Sequence, residues 1–223
     1  MTRRSAVKEI RFRADKNGCL SAPAFTGAVL AKWKESREQP DAQLTVLLTD
    51  LDGLHQLNTE HGRDAGDRAL GAALAELSRV AKRESWTLGR LGGDEFALLA
   101  PGVTVEAAFL KAETLRRDVD AALAKALSRG QRCTLSVGVA NMPRDAKGPE
   151  ELIRKADLAL YKAKEQGGDT VGLTPADDMV LKSSYYSAAQ LGRLKALAER
   201  KQTKEAALLR EALDDLLRKY DRD

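Results

Sequence analysis

The stretch best suited to chemistry is Arg90-Leu91-Gly92-Gly93-Asp94-Glu95-Phe96. Bare backbone at Gly92 and Gly93 lets a phosphate approach closely, and the carboxylates of Asp94 and Glu95 can hold a cation against it. Alone, such a turn reads first as a solvated hairpin tip whose acids serve solubility. A second acidic pair, in Asp50-Leu51-Asp52, ends the near-continuous apolar run Leu44 to Thr49, the pattern of a central strand buried on both faces. Ligands approach open sheets at the carboxyl ends of strands. If the strands of Asp50 and Asp94 are neighbours, the two carboxylates converge. With carbonyls and substrate phosphates they form the ligand set that Mg²⁺ takes. Paired divalent ions would polarise a phosphate and activate a hydroxyl for in-line displacement. Lys164 can add a point charge on the phosphates. The residues themselves thus point to a metal-dependent phosphoryl or nucleotidyl transferase. The two histidines, His55 and His61, are six residues apart, off the usual helical ligand spacing, and read as exposed polar residues rather than a zinc site.

The elements that must position these groups follow from pattern. Trp86 to Leu91 and Phe96 to Ala100 read as two strands of a hairpin, its two glycines supplying the positive φ that tight turns need. Ser21 is placed to cap a helix running to about Glu38, which Glu38-Gln39-Pro40-Asp41 breaks. A polar passage from Gly53 to Asp67 precedes a helix to about Lys82 carrying Leu70, Ala73, Leu74 and Leu77. Val105 to about Ser128 is helical, Thr134 to Val139 a strand, and Pro149 to Glu165 a helix ended by Gly167-Gly168. This order predicts an α/β (α+β) fold, a sheet with some antiparallel pairing covered by helices. No internal repeat is evident.

With 223 residues, 43% hydrophobic and 31% charged, the chain has ordinary soluble composition and length for one main domain plus an appendage. The formal charge of +4 is mild. Cys19 and Cys133 lack metal-ligand companions and read as free thiols. No apolar run approaches the roughly 20 residues of a membrane span, and charges follow Met1-Thr2-Arg3-Arg4-Ser5 where a signal peptide would have an apolar core. A cytoplasmic protein without membrane contact is expected. Residues 1 to 42 form a basic arm and a helix, too brief for a receiver or sensory domain.

From about Gln43 to Val171 the chain resembles the GGDEF domain of diguanylate cyclases, and a domain of residues 43–173 is expected. The resemblance rests on Asp50-Leu51-Asp52 with Asn58 and Gly66-Asp67, on Arg90 to Phe96, on Ser136-Val137-Gly138-Val139-Ala140, and on Ala156 to Lys164, in family order and spacing. It implies a palm-like sheet of the nucleotidyl-cyclase type and condensation of two GTP to cyclic di-GMP, one nucleotide in each of two facing domains. It further implies Mg²⁺ or Mn²⁺ on Asp50, the Leu51 carbonyl and Asp94. Gly92 and Gly93 would admit the triphosphate, Lys164 would contact it, Glu95 would help activate the 3′-hydroxyl or complete the metal site, and Asn58 and Asp67 would read guanine. Asp67 can accept from N1–H and the 2-amino group, donors that adenine does not offer in that arrangement. Several positions depart from the family. Leu54-His55 replaces the usual Phe-Lys, Thr59 follows Asn58 where an aspartate is usual, and Arg63 follows Gly62 where a histidine is usual. Gly168 stands in place of a phosphate-binding arginine, the usual opening motif is reduced to Asp15 to Leu20, and Arg83-Glu84-Ser85-Trp86 replaces a product-inhibition Arg-x-x-Asp. The alternative is an inactive domain sensing GTP or cyclic di-GMP within a transcriptional regulator.

Residues 174 to 178 read as a linker. The segment 179–223 follows, with a strand-like run, Val180 to Tyr186, and two helices, Ala188 to about Arg200 and Lys204 to Tyr220. Apolar stripes on both helices, Leu191, Leu194 and Leu197 and then Leu208, Leu209, Leu213, Leu216 and Leu217, are too much for so short a unit to bury alone, so a homodimer is expected. A helical hairpin or coiled dimer suffices for that. The spacing also resembles a ribbon-helix-helix module, in which paired strands enter the major groove of DNA. Lys182, Ser183, Ser184 and Tyr185 would then be the DNA-reading segment, in one of two registers. Ten basic against seven acidic residues after Met179 allow phosphate contacts.

Overall fold

Nine residues, Leu44–Asp52, form the central strand β2, and all but the last are buried. In the computed structural model, which describes residues 14–15, 17–36, 39, 42–174, 186–201 and 205–220, the chain falls into two units, residues 1–178 and 179–223. The first contains, in chain order, β1 (Leu20–Ser21), α1 (Ala22–Ser36), β2, α2 (Leu54–His61), α3 (Arg63–Glu84), β3 (Thr87–Arg90), β4 (Glu95–Pro101), α4 (Val105–Ala126), β5 (Thr134–Met142), α5 (Pro149–Glu165) and β6 (Val171–Leu173). The strands make one mixed sheet in the order β1-β3-β4-β2-β5-β6. β2 pairs antiparallel with both β4 and β5, while the outer pairs β1/β3 and β5/β6 are parallel.

Helices cover both faces, which is why β2 is apolar without alternation. Leu47 and Leu51 belong to a core with Leu57, Leu77, Leu115 and Leu123 from α2, α3 and α4. Leu44, Val46 and Leu48 pack with Phe25 and Val29 of α1 and Leu152 and Leu160 of α5. Each such leucine stabilises the fold by roughly 1.5–3 kcal/mol relative to exposure. Strand alternation then puts Asp50 and Asp52 on the α1/α5 side. α5 lies unusually close there. A Cβ added at Gly138 would meet the Leu160 amide nitrogen at 2.2 Å and the Ala156 carbonyl oxygen at 2.3 Å. Pro149 opens α5 and Gly167 and Gly168, both at positive φ, turn the chain after it.

The structure differs from the sequence expectations in instructive places. The polar passage after β2 is mostly helical: α2 and α3 are separated only at Gly62, and buried Leu57 and Ala65 anchor them. The two edge strands β1 and β6, two and three residues long, exist only through parallel pairing with β3 and β5. Ser21 lies in β1, and α1 starts at Ala22. The glycine hairpin forms, but neither Gly92 nor Gly93 is at positive φ; instead Leu91 and Gly92 both donate N–H to the Glu95 carbonyl, at 2.9 and 3.3 Å. Thr174 is buried, and its hydroxyl donates to the carbonyls of Val139 and Lys155, each at 3.2 Å.

The second unit contains α6 (Ala188–Lys201) and α7 (Glu205–Tyr220). Ser187 and Gln190 form a reciprocal cap on α6: the Ser187 hydroxyl accepts from the Gln190 N–H at 3.2 Å, and Gln190 Oε1 accepts from the Ser187 N–H at 2.9 Å. Ala198 and Leu208 are buried, whereas Leu191, Leu213, Leu216 and Tyr220 are exposed. Lys182, Ser183, Ser184 and Tyr185 lie outside the described residues. No helix among the described residues is long and apolar enough to cross a membrane.

Candidate active site

The antiparallel register of β2 with β4 sets Asp50 directly opposite Glu95, so the two acidic motifs meet at one end of the sheet. Asp50 is buried, with 10% of its side chain exposed, and burial pushes its carboxyl above the usual aspartate range. Lys164 opposes that shift through a 2.5 Å ion pair to Asp50 Oδ1, while the charges of Asp94 and Glu95 add to it. Lys164 sits in the last turn of α5, where a cation is favoured by the helix dipole. The Cys133 thiol behind the site is pushed up to about 11, first by burial and then by the charges of Asp52, Asp94 and Asp50. Asp50 thus has the Lys164 ammonium as its ion-pair partner, with the charges of Asp94 and Glu95 close enough to act on it. Among the described residues no group of three or more His, Cys, Asp or Glu side chains is arranged to hold a metal. The candidate set is smaller, two carboxylates and the Leu51 carbonyl, but its hard oxygen donors and surplus negative charge fit Mg²⁺ or Mn²⁺.

The hairpin tip is braced from below. Arg90 donates to the carbonyls of Gly92 and Gly93, at 3.1 and 2.5 Å, and lies over the Phe96 ring at 5.5 Å. A Cβ at Gly93 would meet nothing within 4 Å, and one at Gly92 would approach Glu95 Oε2 at 3.1 Å. The glycines therefore keep the space before the acids clear rather than supply turn geometry.

On the other side of β2, Asn58 of α2 lies against Gly66 of α3, where a Cβ would fall 2.0 Å from Asn58 Oδ1. Asp67, next along α3, is exposed. The structure thus brings Asn58 and Asp67 to the junction of α2 and α3. A cavity of about 420 Å³ opens on the opposite face of α2, lined by Gln56, Leu57, Arg132, Cys133 and Asp169 among others; neither Asn58 nor Asp67 lines it.

Asp52 has a different task from Asp50. It accepts from the hydroxyls of Thr134 and Ser136, each at 2.9 Å, and from the Asp169 N–H at 3.0 Å. Asp169 in turn takes Arg116 at 2.5 Å. Sequence reasoning missed Thr134, Ser136, Arg116 and Asp169. The available signal was the polar alternation Thr134-x-Ser136 opening an otherwise apolar strand, which mirrors the Asp50-x-Asp52 it pairs with. Asp15, all that is left of an opening motif, accepts from the N–H groups of Asn17 and Cys19 at 2.8 and 2.9 Å and shapes the turn into β1.

A mixed six-stranded sheet with helices on both faces and acids at one strand end is the architecture of solved GGDEF domains. The family model for "Diguanylate cyclase, GGDEF domain" matches residues 23–170, about two thirds of the chain, and the protein belongs to this family. Among curated relatives, Diguanylate cyclase TpbB of Pseudomonas aeruginosa is 33% identical over 69% of this chain and 35% of its own length. The bifunctional diguanylate cyclase/cyclic di-GMP phosphodiesterase MucR of the same species is 38% identical over 57% of this chain and 18% of its own. The chain spans less than half the length of these relatives. Of solved structures, the GGDEF domain of TpbB superposes with a TM-score of 0.62 at 30% identity, covering 74% of this chain and 96% of that one. The GGDEF domain of DgcB from Caulobacter crescentus, in complex with c-di-GMP, gives 0.63 at 23% identity, covering 78% and 99%, a likeness of fold.

Proposed function

We propose that the protein is a diguanylate cyclase that condenses two GTP into cyclic di-GMP with release of pyrophosphate. The observation that carries this reading is the meeting of Asp50, Asp94, Glu95 and Lys164 at one strand end, before a hairpin tip left open by Gly93. Asp50, the Leu51 carbonyl and Asp94 would hold Mg²⁺ or Mn²⁺, which when bound polarises the triphosphate and makes the attacking hydroxyl more acidic. Lys164, 39% exposed at a helix end, exchanges Asp50 for a phosphate oxygen as the nucleotide enters. Glu95 lies at the surface beside Gly92, placed to take the proton from the 3′-hydroxyl oxygen. Asp67 accepts from guanine N1–H and the 2-amino group, and Asn58 completes the edge. Each domain carries one GTP, so two copies must face each other.

The C-terminal unit supplies that pairing in this reading, since its exposed Leu191, Leu213, Leu216 and Tyr220 form a surface for a second copy. A short tether raises the local concentration of one loaded domain near another to the millimolar range. Duplex DNA is the further partner proposed for this unit, through Lys182, Ser183, Ser184 and Tyr185.

The test is incubation of purified protein with GTP and Mg²⁺, with Asp94→Ala as control. Cyclic di-GMP from the wild type alone supports the cyclase. Tight GTP binding without product replaces it with a nucleotide-sensing regulator. Binding to duplex DNA at two salt concentrations, with and without residues 179–223, tests the tail. A salt-dependent affinity that vanishes on deletion supports the DNA claim, and affinity that survives deletion removes it.

A further inference from the structure

The floor of the site is tied to α4 by side chains that the proposed chemistry does not use. Arg116 of α4, 18% exposed, donates from Nη1 to Asp169 Oδ1 at 2.5 Å and from Nη2 to Glu113 at 3.2 Å. Its Nε is buried with no acceptor, so the guanidinium is drawn inward at the expense of one hydrogen bond. Asp169 sits at φ 51°, a left-handed conformation that a non-glycine residue holds only when its surroundings enforce it. Its backbone N–H is thereby aimed at Asp52 Oδ2, at 3.0 Å. Asp52 also takes Thr134 and Ser136, and Gly168, at φ 74°, passes so near that a Cβ there would stand 2.9 Å from Asp52 Cγ.

The path Arg116–Asp169–Asp52 therefore ends one residue from the Leu51 carbonyl and two from Asp50. The loop it grips begins three residues after Lys164. One ion pair on α4 thus bears on both members of the Asp50–Lys164 pair, from opposite ends of the sequence.

We propose that Arg116 is a positioning residue: by clamping Asp169 it sets where Asp52 and the Gly167–Asp169 loop stand, and with them the spacing of Asp50 and Lys164 that receives the triphosphate. The inference rests on the cyclase reading. An ordinary stabilising ion pair would leave nucleotide affinity alone. This one holds a strained residue whose amide is itself a support of the site, so its loss lets the phosphate end loosen while the α2/α3 junction, with Asn58 and Asp67, stays put.

The test uses the full chain carrying Arg116→Met, Arg116→Lys or Asp169→Asn, with binding of GTPαS and turnover of GTP measured separately. Arg116→Met should weaken GTPαS binding about tenfold, as loss of a supporting contact around a site commonly does, and raise KM in step. The preference for GTP over ITP should stay at the wild-type ratio. Arg116→Lys should recover part of the loss. Asp169→Asn keeps a residue tolerant of positive φ, so it reports the same loss even where Arg116→Met fails to fold. The double variant should be no worse than the poorer single one, because both remove one link. A lower kcat at wild-type KM and wild-type GTPαS affinity marks a purely structural role and overturns the inference alone. Absence of cyclic di-GMP from the wild type overturns the cyclase reading and this inference together.

Discussion

Replacing Gly66 by alanine separates recognition from stability. The new Cβ would fall 2.0 Å from Asn58 Oδ1, 2.7 Å from Cγ and 2.9 Å from Nδ2, so the amide must leave its place. All three atoms belong to the end of one rotatable side chain and none to backbone, so Asn58 swings out and the α2/α3 contact survives. Alanine within a helix gains ~0.5–1 kcal/mol over glycine, and a displaced rotamer costs about 0.5–1.5 kcal/mol. The two nearly cancel, and Tm should stay close to wild type. Binding should not. Losing the proposed Asn58 contacts with guanine would cost about 1–2 kcal/mol, a roughly 5–30-fold weaker Kd for GTP. Calorimetric titration with GTP and thermal unfolding on the same preparation read both quantities. Asn58→Ala should give the same weakening, and the double variant no further loss. An unchanged Kd at unchanged Tm would refute the guanine role of Asn58. A collapse in Tm would refute the claim that the side chain, not the helix pair, gives way.

Asp50→Asn should raise Tm at neutral pH while abolishing product. Burial and the neighbouring acids raise the Asp50 pKa in the folded state, so its contribution to stability is whole at low pH and is lost as pH rises through that folded pKa. The advantage of asparagine must therefore shrink on acidification, each ~1 kcal/mol counting for about 2–4 °C; a pH-independent difference refutes the assignment. Gly138→Ala drives a Cβ into the backbone of α5 and should cost about 1–3 kcal/mol of stability, read as a lower urea midpoint at unchanged slope. A wild-type midpoint there would mean α5 rides higher on the sheet. Cyclic di-GMP added at the start of the reaction should leave the initial rate unchanged. Glu84 is already taken by Arg83 at 2.9 Å and Lys111 at 2.5 Å, and Trp86 is buried. Inhibition that disappears in Arg83→Ala would contradict this.

How far these groups could be read from sequence follows from how local their determinants are. β2 was legible because a strand covered on both faces must be apolar throughout. Pro149 and Gly167-Gly168 mark the ends of α5 by backbone chemistry alone. α2 was not legible, since eight mostly polar residues are held by the single buried Leu57. Nor were β1 and β6, whose few residues carry no period and acquire strand geometry only from a distant partner. The hairpin forms without the positive φ that its two glycines suggest: neither Gly92 nor Gly93 is in the left-handed region, and a Cβ at Gly93 would stand in open space.

The site divides along the same line. Asp50, Asp94 and Lys164 each announce themselves within a short motif, and the β2/β4 register then sets Asp50 opposite Glu95, the residue after Asp94. Asp52 belongs to the same short motif as Asp50, yet its oxygens are already taken by Thr134, Ser136 and the Asp169 amide, up to 117 residues away. Arg116 reaches Asp169 across 53 residues. Residue type cannot distinguish the two aspartates; only their partners do. One accepts three donors and is held fast. The other is buried beside a lysine and two repelling acids, and burial disfavours its ionised form. A carboxylate whose ionised form the fold disfavours, facing the open end of a sheet, is one that an incoming cation would relieve. That difference in satisfaction is why the proposed ligand role falls to Asp50, while Asp52 braces the strand end.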